Sequence, residues 1–444
     1  MKLVLTDKSF FYIAALLIVL AFALRLFGVF AVPMVNDELE LSEYLNQLPA
    51  EDGSRPAIEK DIITYHFVLI CLEMKLLHRF FGNNILAFRC LSVLLGSLGL
   101  LLIFMTTRQL LGRGVALLAL ALLALSQYHI ARSRIFDNQS LLLFFCSLAI
   151  YLFFKAIRGS RIWFFPLCVV MVLGYMAHPL TTLLIPVFLI FIVWKKRHGD
   201  LLRGWPVWTA FVLMIVLIAG FTLLYSEEIG TKFEDEEVMS IGLSLRALYF
   251  FFADIMKYLA ERFDLFLYNI DSGDVYMRLA NGSLILLDQI ATDVNAEDWL
   301  IGLVMFCGFF YCLRSRHRRN EGIVFFLLMF GVIFIVTTLA NGRDALFDEH
   351  WWSSQLIFPG AVLGSYMLMH LSARFKFRTI AIAGLIACSL WNAIAFVLLP
   401  DSIYGLPKND LYKAYQKRAQ EYRHKGDAKN ADRINRWLTL RAGN

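Results

Sequence analysis

Apolar runs of about 20 residues, separated by short polar stretches, recur along most of the chain. A helix of that length crosses the roughly 30 Å hydrocarbon layer of a bilayer. The pattern predicts spanning helices at 10–32, 85–107, 114–131, 139–154, 163–177, 179–194, 206–225, 299–313, 322–340, 353–371 and 379–399. Residues 10–32 form too long an apolar run for a signal peptide, contain Arg25 and are followed by no A-x-A-like cleavage site, so they read as the first span. The fold class that follows is all-α and polytopic, with about eleven transmembrane helices and exterior interfacial helices.

Residues 62–81 are partly apolar but too interrupted by charge to span. Thr64, Lys75, His78 and Arg79 share one side of a helical wheel, so this segment is expected to lie on the membrane. The alternate connections then sort by charge. Arg108/Arg113, Lys155/Arg158/Arg161, Lys195/Lys196/Arg197/Arg203, Arg314/Arg316/Arg318/Arg319 and Arg374/Lys376/Arg378 fall in one set; the other set is acidic or mixed. Short basic loops stay cytoplasmic, which places the amino terminus inside and the carboxyl terminus outside. Residues 1–400 form the transmembrane unit, with exterior loops at about 33–84 and 226–298. Residues 401–444 form an exterior tail of two amphipathic helices, 411–425 and 428–440, expected to cap that surface.

Composition sharpens this picture. The chain of 444 residues is 59% hydrophobic and 18% charged, with a net charge of +6, whereas soluble domains carry about 25% charge. No basic water-facing domain precedes the tail, which argues against a nucleic-acid partner. The seven cysteines lie in or beside apolar runs without CxxC pairing and read as small membrane-helix residues.

There is no GxxxxGK[ST] loop, no HExxH, no GxGxxG opening a helix, and no intramembrane chain of acids or lysines. Candidate chemistry therefore gathers at the exterior helix ends. Asp37-Glu38 follows the first span and suits a general base or metal ligand, or else is ordinary solvated loop charge. The turn Tyr128–Asn138 carries Arg132, Arg134 and Asp137, which could hold a phosphate and a divalent cation. The alternative there is Arg134–Asp137 pairing that caps the next helix. His178, at a tight turn, is a phosphate ligand or a satisfied polar anchor. Arg343 and His350 stand in the last exterior turn beside Trp351 and Trp352, which read as an interfacial belt. The acidic run 234–237 reads as a solvated loop face, and Arg25 as a side chain snorkelling to the exterior surface.

These residues fall in a familiar order. Ala23-Leu24-Arg25-Leu26 precedes Asp37-Glu38, then Tyr65-His66, Phe81-Gly82 and Arg89-Cys90-Leu91-Ser92. Ala131-Arg132-Ser133-Arg134 with Asp137 follows, and then Gly174-Tyr175-Met176-Ala177-His178-Pro179. The order and spacing resemble the GT-C superfamily of polytopic glycosyltransferases, in the branch with protein O-mannosyltransferases and the lipid A aminoarabinose transferase. The likeness covers about residues 10–200 by motif and the remainder by topology. Two motifs depart from it: Tyr65-His66 lacks the prolines that commonly follow the histidine, and His350-Trp351-Trp352 stands where an Arg-Tyr often opens a late helix.

The resemblance implies transfer of a sugar from a polyprenyl-phosphate carrier to a lipid, glycan or protein acceptor on the exterior face. It places Asp37, with Glu38 beside it, at the reacting centre, and Asp137 with Asp37 as metal ligands. Arg132, Arg134, His178 and Arg343 would take the donor phosphate, and His66 and His350 the acceptor or carrier. It admits a divalent cation (Mg, Mn or Zn) and no other cofactor. The expected location is the cell membrane, most simply a bacterial inner membrane, among membrane lipids. The rival readings are a transporter of lipid-linked glycan and a ligase or polymerase using a polyprenyl-pyrophosphate donor.

Overall fold

The structure is a computed structural model that describes residues 7–27, 29, 41, 44, 59–82, 84–136, 138–195, 205–224, 299–314, 317, 320–333, 356–371, 378–398, 420 and 423. The described residues are mostly helical, with no strand among them. In chain order the helices are α1 (Asp7–Leu26), α2 (Glu59–Phe81), α3 (Ile85–Leu111), α4 (Arg113–Leu125), α5 (Gln127–Arg134) and α6 (Asn138–Arg158). They continue with α7 (Phe164–Ala177), α8 (Leu184–Trp194), α9 (Trp205–Leu224), α10 (Trp299–Cys312), α11 (Glu321–Ile333), α12 (Ile357–Leu371) and α13 (Arg378–Leu398). Short 3-10 turns at Arg161–Trp163 and Pro179–Leu183 lead into α7 and α8. Each of the predicted spans contains one apolar helix, and the segment expected to lie on the membrane is α2.

Among the described residues four helices, α1, α3, α6 and α9, are long and apolar enough by length and composition to cross a membrane, and several shorter apolar helices such as α4 and α12 run 10–17 residues. The third span is one of the short ones, and here the expectation needs correction. The sequence pattern carried that helix to residue 131, but α4 stops at Leu125 and α5 begins at Gln127. Ser126 causes the break: its backbone is extended, and its hydroxyl accepts the His129 amide at 3.3 Å, capping a new helix. A serine in N-cap position within an otherwise apolar run was the available signal.

The core is built around α4, whose residues from Val115 to Leu125 are buried with the single exception of Leu117. A helix that is apolar all round belongs inside a bundle, and α4 packs against α1, α3, α12 and α13. Gly112 joins α3 to α4 as a tight hairpin: its φ of 89° is costly for other residues, and its N–H caps α3 on Arg108 O at 3.2 Å. Phe153 of α6 stacks on Phe188 of α8 at 4.1 Å, and Phe154 meets Phe325 of α11 edge-on at 4.7 Å. Helix α6 is central and α9 peripheral: 78% of the best apolar window is buried in the first and 17% in the second.

The ends of the helices sort as the charge pattern required. Arg158 ends α6 and donates to Gln109 O near the end of α3 at 2.7 Å. It also pairs with Glu321, which opens α11, and Lys195 just past α8 pairs with the same carboxylate. Arg108 and Arg113 lie over the Phe10 ring near the start of α1, at 5.5 and 5.4 Å. The connections carrying Arg108, Arg113, Arg158 and Lys195 thus share one end of the bundle with the start of α1. Arg132 and Arg134 lie on α5, beside the other end of α1.

On α2, Ile70, Cys71 and Met74 are buried, while Leu72, Leu76 and Phe80 form an exposed apolar stripe at i, i+4 and i+8. The buried side meets α3, α6 and α7.

Candidate active site at the arginine-capped end of the bundle

A helix ending inside a membrane protein leaves its last carbonyls without intrahelical donors, and these carry the negative end of the helix dipole. At α1 the missing donors are arginine side chains. Arg134 of α5 donates Nε to Arg25 O at 3.3 Å and Nη2 to Leu24 O at 3.1 Å, and Nη2 also reaches Phe27 O. Arg89 of α3 donates Nη1 to Val29 O at 2.9 Å. A guanidinium suits this task because its planar fork can serve several carbonyls and stays charged.

Arg25 makes the converse connection. It does not snorkel outward as the sequence suggested: it is 0% exposed. Its Nη1 donates to Ala21 O at 2.7 Å and Ala124 O at 3.2 Å. Its Nη2 donates to Leu123 O at 3.2 Å and meets His129 Nδ1 at 3.0 Å. The physical reason is that α4 ends early, at Leu125, so its terminal carbonyls lie level with Arg25 and provide acceptors inside the protein. Going outward would have left them unpaired.

Ser133 completes the knot. Its hydroxyl donates to His129 O at 2.6 Å and lies 3.1 Å from His129 Nδ1. Gly96 of α3 admits this contact, since a Cβ there would stand 2.9 Å from Ser133 Cβ and overlap Ser133 Oγ. Gly96→Ala is therefore expected to destabilise the protein by about 1–3 kcal/mol through overpacking, read as a lower thermal midpoint. An unchanged midpoint would mean that α5 is not seated against α3 in this way.

The residues singled out from sequence are distributed as follows. Arg132 and Arg134 both lie on α5 and both are buried. Arg134 is engaged with the end of α1 through Nε and Nη2. His178 is buried and caps the Pro179–Leu183 turn, its Nδ1 accepting the Leu180 amide at 3.2 Å. The cap uses Nδ1 and leaves Nε2 as the protonated nitrogen. His66 lies on α2. Asp37, Glu38, Asp137, Arg343 and His350 lie outside the described residues, as do loop 226–298, the acidic run 234–237 and nearly all of the tail. What is fixed is where the acidic segments depart: Val29, eight positions before Asp37, and Arg134, three before Asp137, belong to the same arginine-capped knot. Among the described residues no three His, Cys, Asp or Glu side chains converge to hold a metal.

One residue escaped the sequence reading. Glu73 of α2 has a sealed carboxyl oxygen, Oε2, with no hydrogen-bond partner among the described residues. Burial pushes its pKa from the ordinary 4.5 to about 8. The signal was a lone acid in the apolar stretch 67–77. Because the folded-state pKa is raised, the neutral acid favours docking of α2 fully below about pH 4.5, and that contribution is lost as pH rises through about 8. Hydrogen exchange over 70–77, corrected for intrinsic rates, should accelerate steadily from about pH 5 to about 8 and level off above that in the wild type, and should not do so in Glu73→Gln. Equal profiles for the two proteins would contradict burial of the carboxyl.

The architecture is that of a polytopic membrane protein with the GT-C fold, and the resemblance read from the motifs holds. Residues 68–223 match the family described as dolichyl-phosphate-mannose-protein mannosyltransferase. Two structures of the oligosaccharyltransferase from Archaeoglobus fulgidus share the fold. One, AglB in complex with an inhibitory peptide and a dolichol-phosphate, has a TM-score of 0.55 at 12% identity, covering 97% of this chain and 59% of that one. The other, in complex with Zn and sulfate, has a TM-score of 0.54 at 13% identity, covering 92% and 55%. ArnT from Cupriavidus metallidurans, bound to undecaprenyl phosphate, has a TM-score of 0.50 at 14% identity, covering 97% and 75%. The chain thus spans 59% and 55% of the length of the archaeal chains. No curated protein sequence matches it significantly.

Proposed function

We propose that the protein is an inverting glycosyltransferase that moves a sugar from a polyprenyl-phosphate carrier to a lipid, glycan or protein acceptor. The observation that carries this reading is the common knot from which the segments bearing Asp37 and Asp137 depart, at the end of the bundle away from the basic loops. The match to a family named for a dolichyl-phosphate donor supports the same chemistry. So do the polyprenyl phosphates bound by the archaeal and bacterial neighbours.

In this mechanism the acceptor oxygen attacks the anomeric carbon from the face opposite the carrier. The Asp37 carboxylate takes its proton, and the bond between the anomeric carbon and the phosphate oxygen breaks, releasing polyprenyl phosphate. Glu38 holds the local charge beside Asp37. Arg132, Arg134 and Arg343 neutralise the leaving phosphate and His178 donates its Nε2 proton to it, while Arg134 also holds α1 in place. His66 and His350 face the acceptor or carrier. A divalent cation, held by Asp37 and Asp137, would supply further charge neutralisation at the phosphate; the zinc in one archaeal neighbour supports that assignment. The site opens to the exterior of a cell membrane, a bacterial inner membrane on this reading, with the amino terminus cytoplasmic and the carboxyl terminus exterior. A donor reaching that face has to arrive tethered to the membrane, since nucleotide sugars stay in the cytoplasm.

The test is the stereochemistry of the product. Transfer from a β-linked carrier phosphate should give an α-glycoside by NMR, and EDTA should slow it, with recovery on adding Mg, Mn or Zn. Retention of configuration would overturn the single-displacement mechanism, and indifference to EDTA would remove the cation.

A further inference from the structure

His129 was not among the sequence candidates, yet it sits at the centre of the knot. It is fully buried. A guanidinium can only donate, so the 3.0 Å contact with Arg25 Nη2 makes His129 Nδ1 an acceptor and puts the ring proton on Nε2. Ser133 approaches the same Nδ1 at 3.1 Å. Protonating Nδ1 would set an N–H against a guanidinium N–H in a sealed site, so the imidazole is held as one neutral tautomer. Arg25 in turn holds three carbonyls, one on α1 and two at the end of α4.

We infer that His129 is a positioning residue of the transfer reaction: through Arg25 it locks the end of α1 to the start of α5, and so fixes the departure of the chain toward both Asp37 and Asp137. The inference rests on the transferase reading above. The lock needs an acceptor at Nδ1 rather than a donor at Nε2. Nε2 has no hydrogen-bond partner among the described residues, and the ring lies beside Phe358 of α12, with centroids 6.0 Å apart.

Two substitutions separate the ring nitrogens. In His129→Asn the side-chain oxygen falls close to the Nδ1 position and still accepts from Arg25. In His129→Gln the amide falls close to Nε2 and leaves Arg25 without that acceptor. Both variants would be prepared as full chains in nanodiscs. The readouts are hydrogen exchange over 21–27 and 127–134, and kcat and donor KM with a polyprenyl-phosphate sugar. His129→Gln should lower kcat about tenfold or more, with donor KM within about twofold of wild type, as expected when geometry rather than binding is lost. Its exchange should accelerate about tenfold over both segments, while His129→Asn stays within about threefold of wild type in every readout.

The reverse order, with Gln tolerated and Asn defective, would overturn the inference by showing that the Nε2 proton matters. Two variants that both behave as wild type, or that both fail to fold, would overturn it as well. A wild-type chain that consumes no lipid-phosphate sugar would instead contradict the proposed function; the exchange arm would still decide whether the lock exists.

Discussion

Asp37→Asn is expected to lower kcat for sugar transfer by about 10²–10⁴-fold, the usual contribution of a positioned general base, while donor KM changes little. Asparagine keeps the size and the neutral hydrogen-bonding of the side chain but accepts no proton at neutral pH. The binding surfaces assigned to Arg132, His178 and Arg343 would be unchanged, so the loss should fall on the chemical step. Glu38→Gln should cost less, because Glu38 supports the local charge without taking the proton. The protein should remain monodisperse and unfold at the wild-type temperature, since residues 37 and 38 follow α1 beyond the arginine-capped carbonyls. Turnover within a few-fold of wild type in well-folded Asp37→Asn would remove Asp37 from the reacting centre.

The largest effect on stability is expected at Arg25. Arg25→Met keeps the apolar length of the side chain and removes every donor. Leu123 O and Ala124 O, among the last carbonyls of α4, then lose partners in a site closed to water. Each such loss costs about 1–3 kcal/mol, offset in part because a buried guanidinium no longer has to be desolvated. The net destabilisation should be about 2–4 kcal/mol, seen as a fall in thermal midpoint of several degrees. Arg25→Lys should fall between the two, because one ammonium cannot reach acceptors on α1, α4 and α5 with the geometry of a fork. A midpoint for Arg25→Met equal to wild type would mean that water or another donor already serves those carbonyls.

Much of the fold was legible because its causes are local. A run of apolar residues long enough to span gives a helix wherever it occurs, and each run from Phe10 to the close of α13 did so. The alternation of basic connections foretold the shared end occupied by Gln109, Arg158, Lys195 and Glu321. Of the proposed site, the pattern singled out Arg132 and Arg134, which the structure places together on the short helix α5. Three features stayed hidden because they depend on residues far apart in sequence. Arg25 turned inward only because α4 ends beside it, 98 and 99 positions later. Arg134 was read as a phosphate ligand, and nothing local shows that the end of α1 also takes hydrogen bonds from its Nε and Nη2. His129 looked like one more polar residue in a turn; its role depends on the burial of Arg25. Ser126 and Glu73 were legible in principle, one as an N-cap within an apolar run and the other as a lone acid on an apolar stretch.

The most direct measurement is donor consumption. Wild type and Asp37→Asn, purified into nanodiscs, would be given a panel of polyprenyl-phosphate sugars labelled in the sugar, with release of polyprenyl phosphate followed over time. The expected result is that at least one donor loses its sugar in the wild type and not in Asp37→Asn. Donors that stay intact with both proteins while labelled lipid changes leaflet in vesicles would contradict the transferase and leave a transporter in its place.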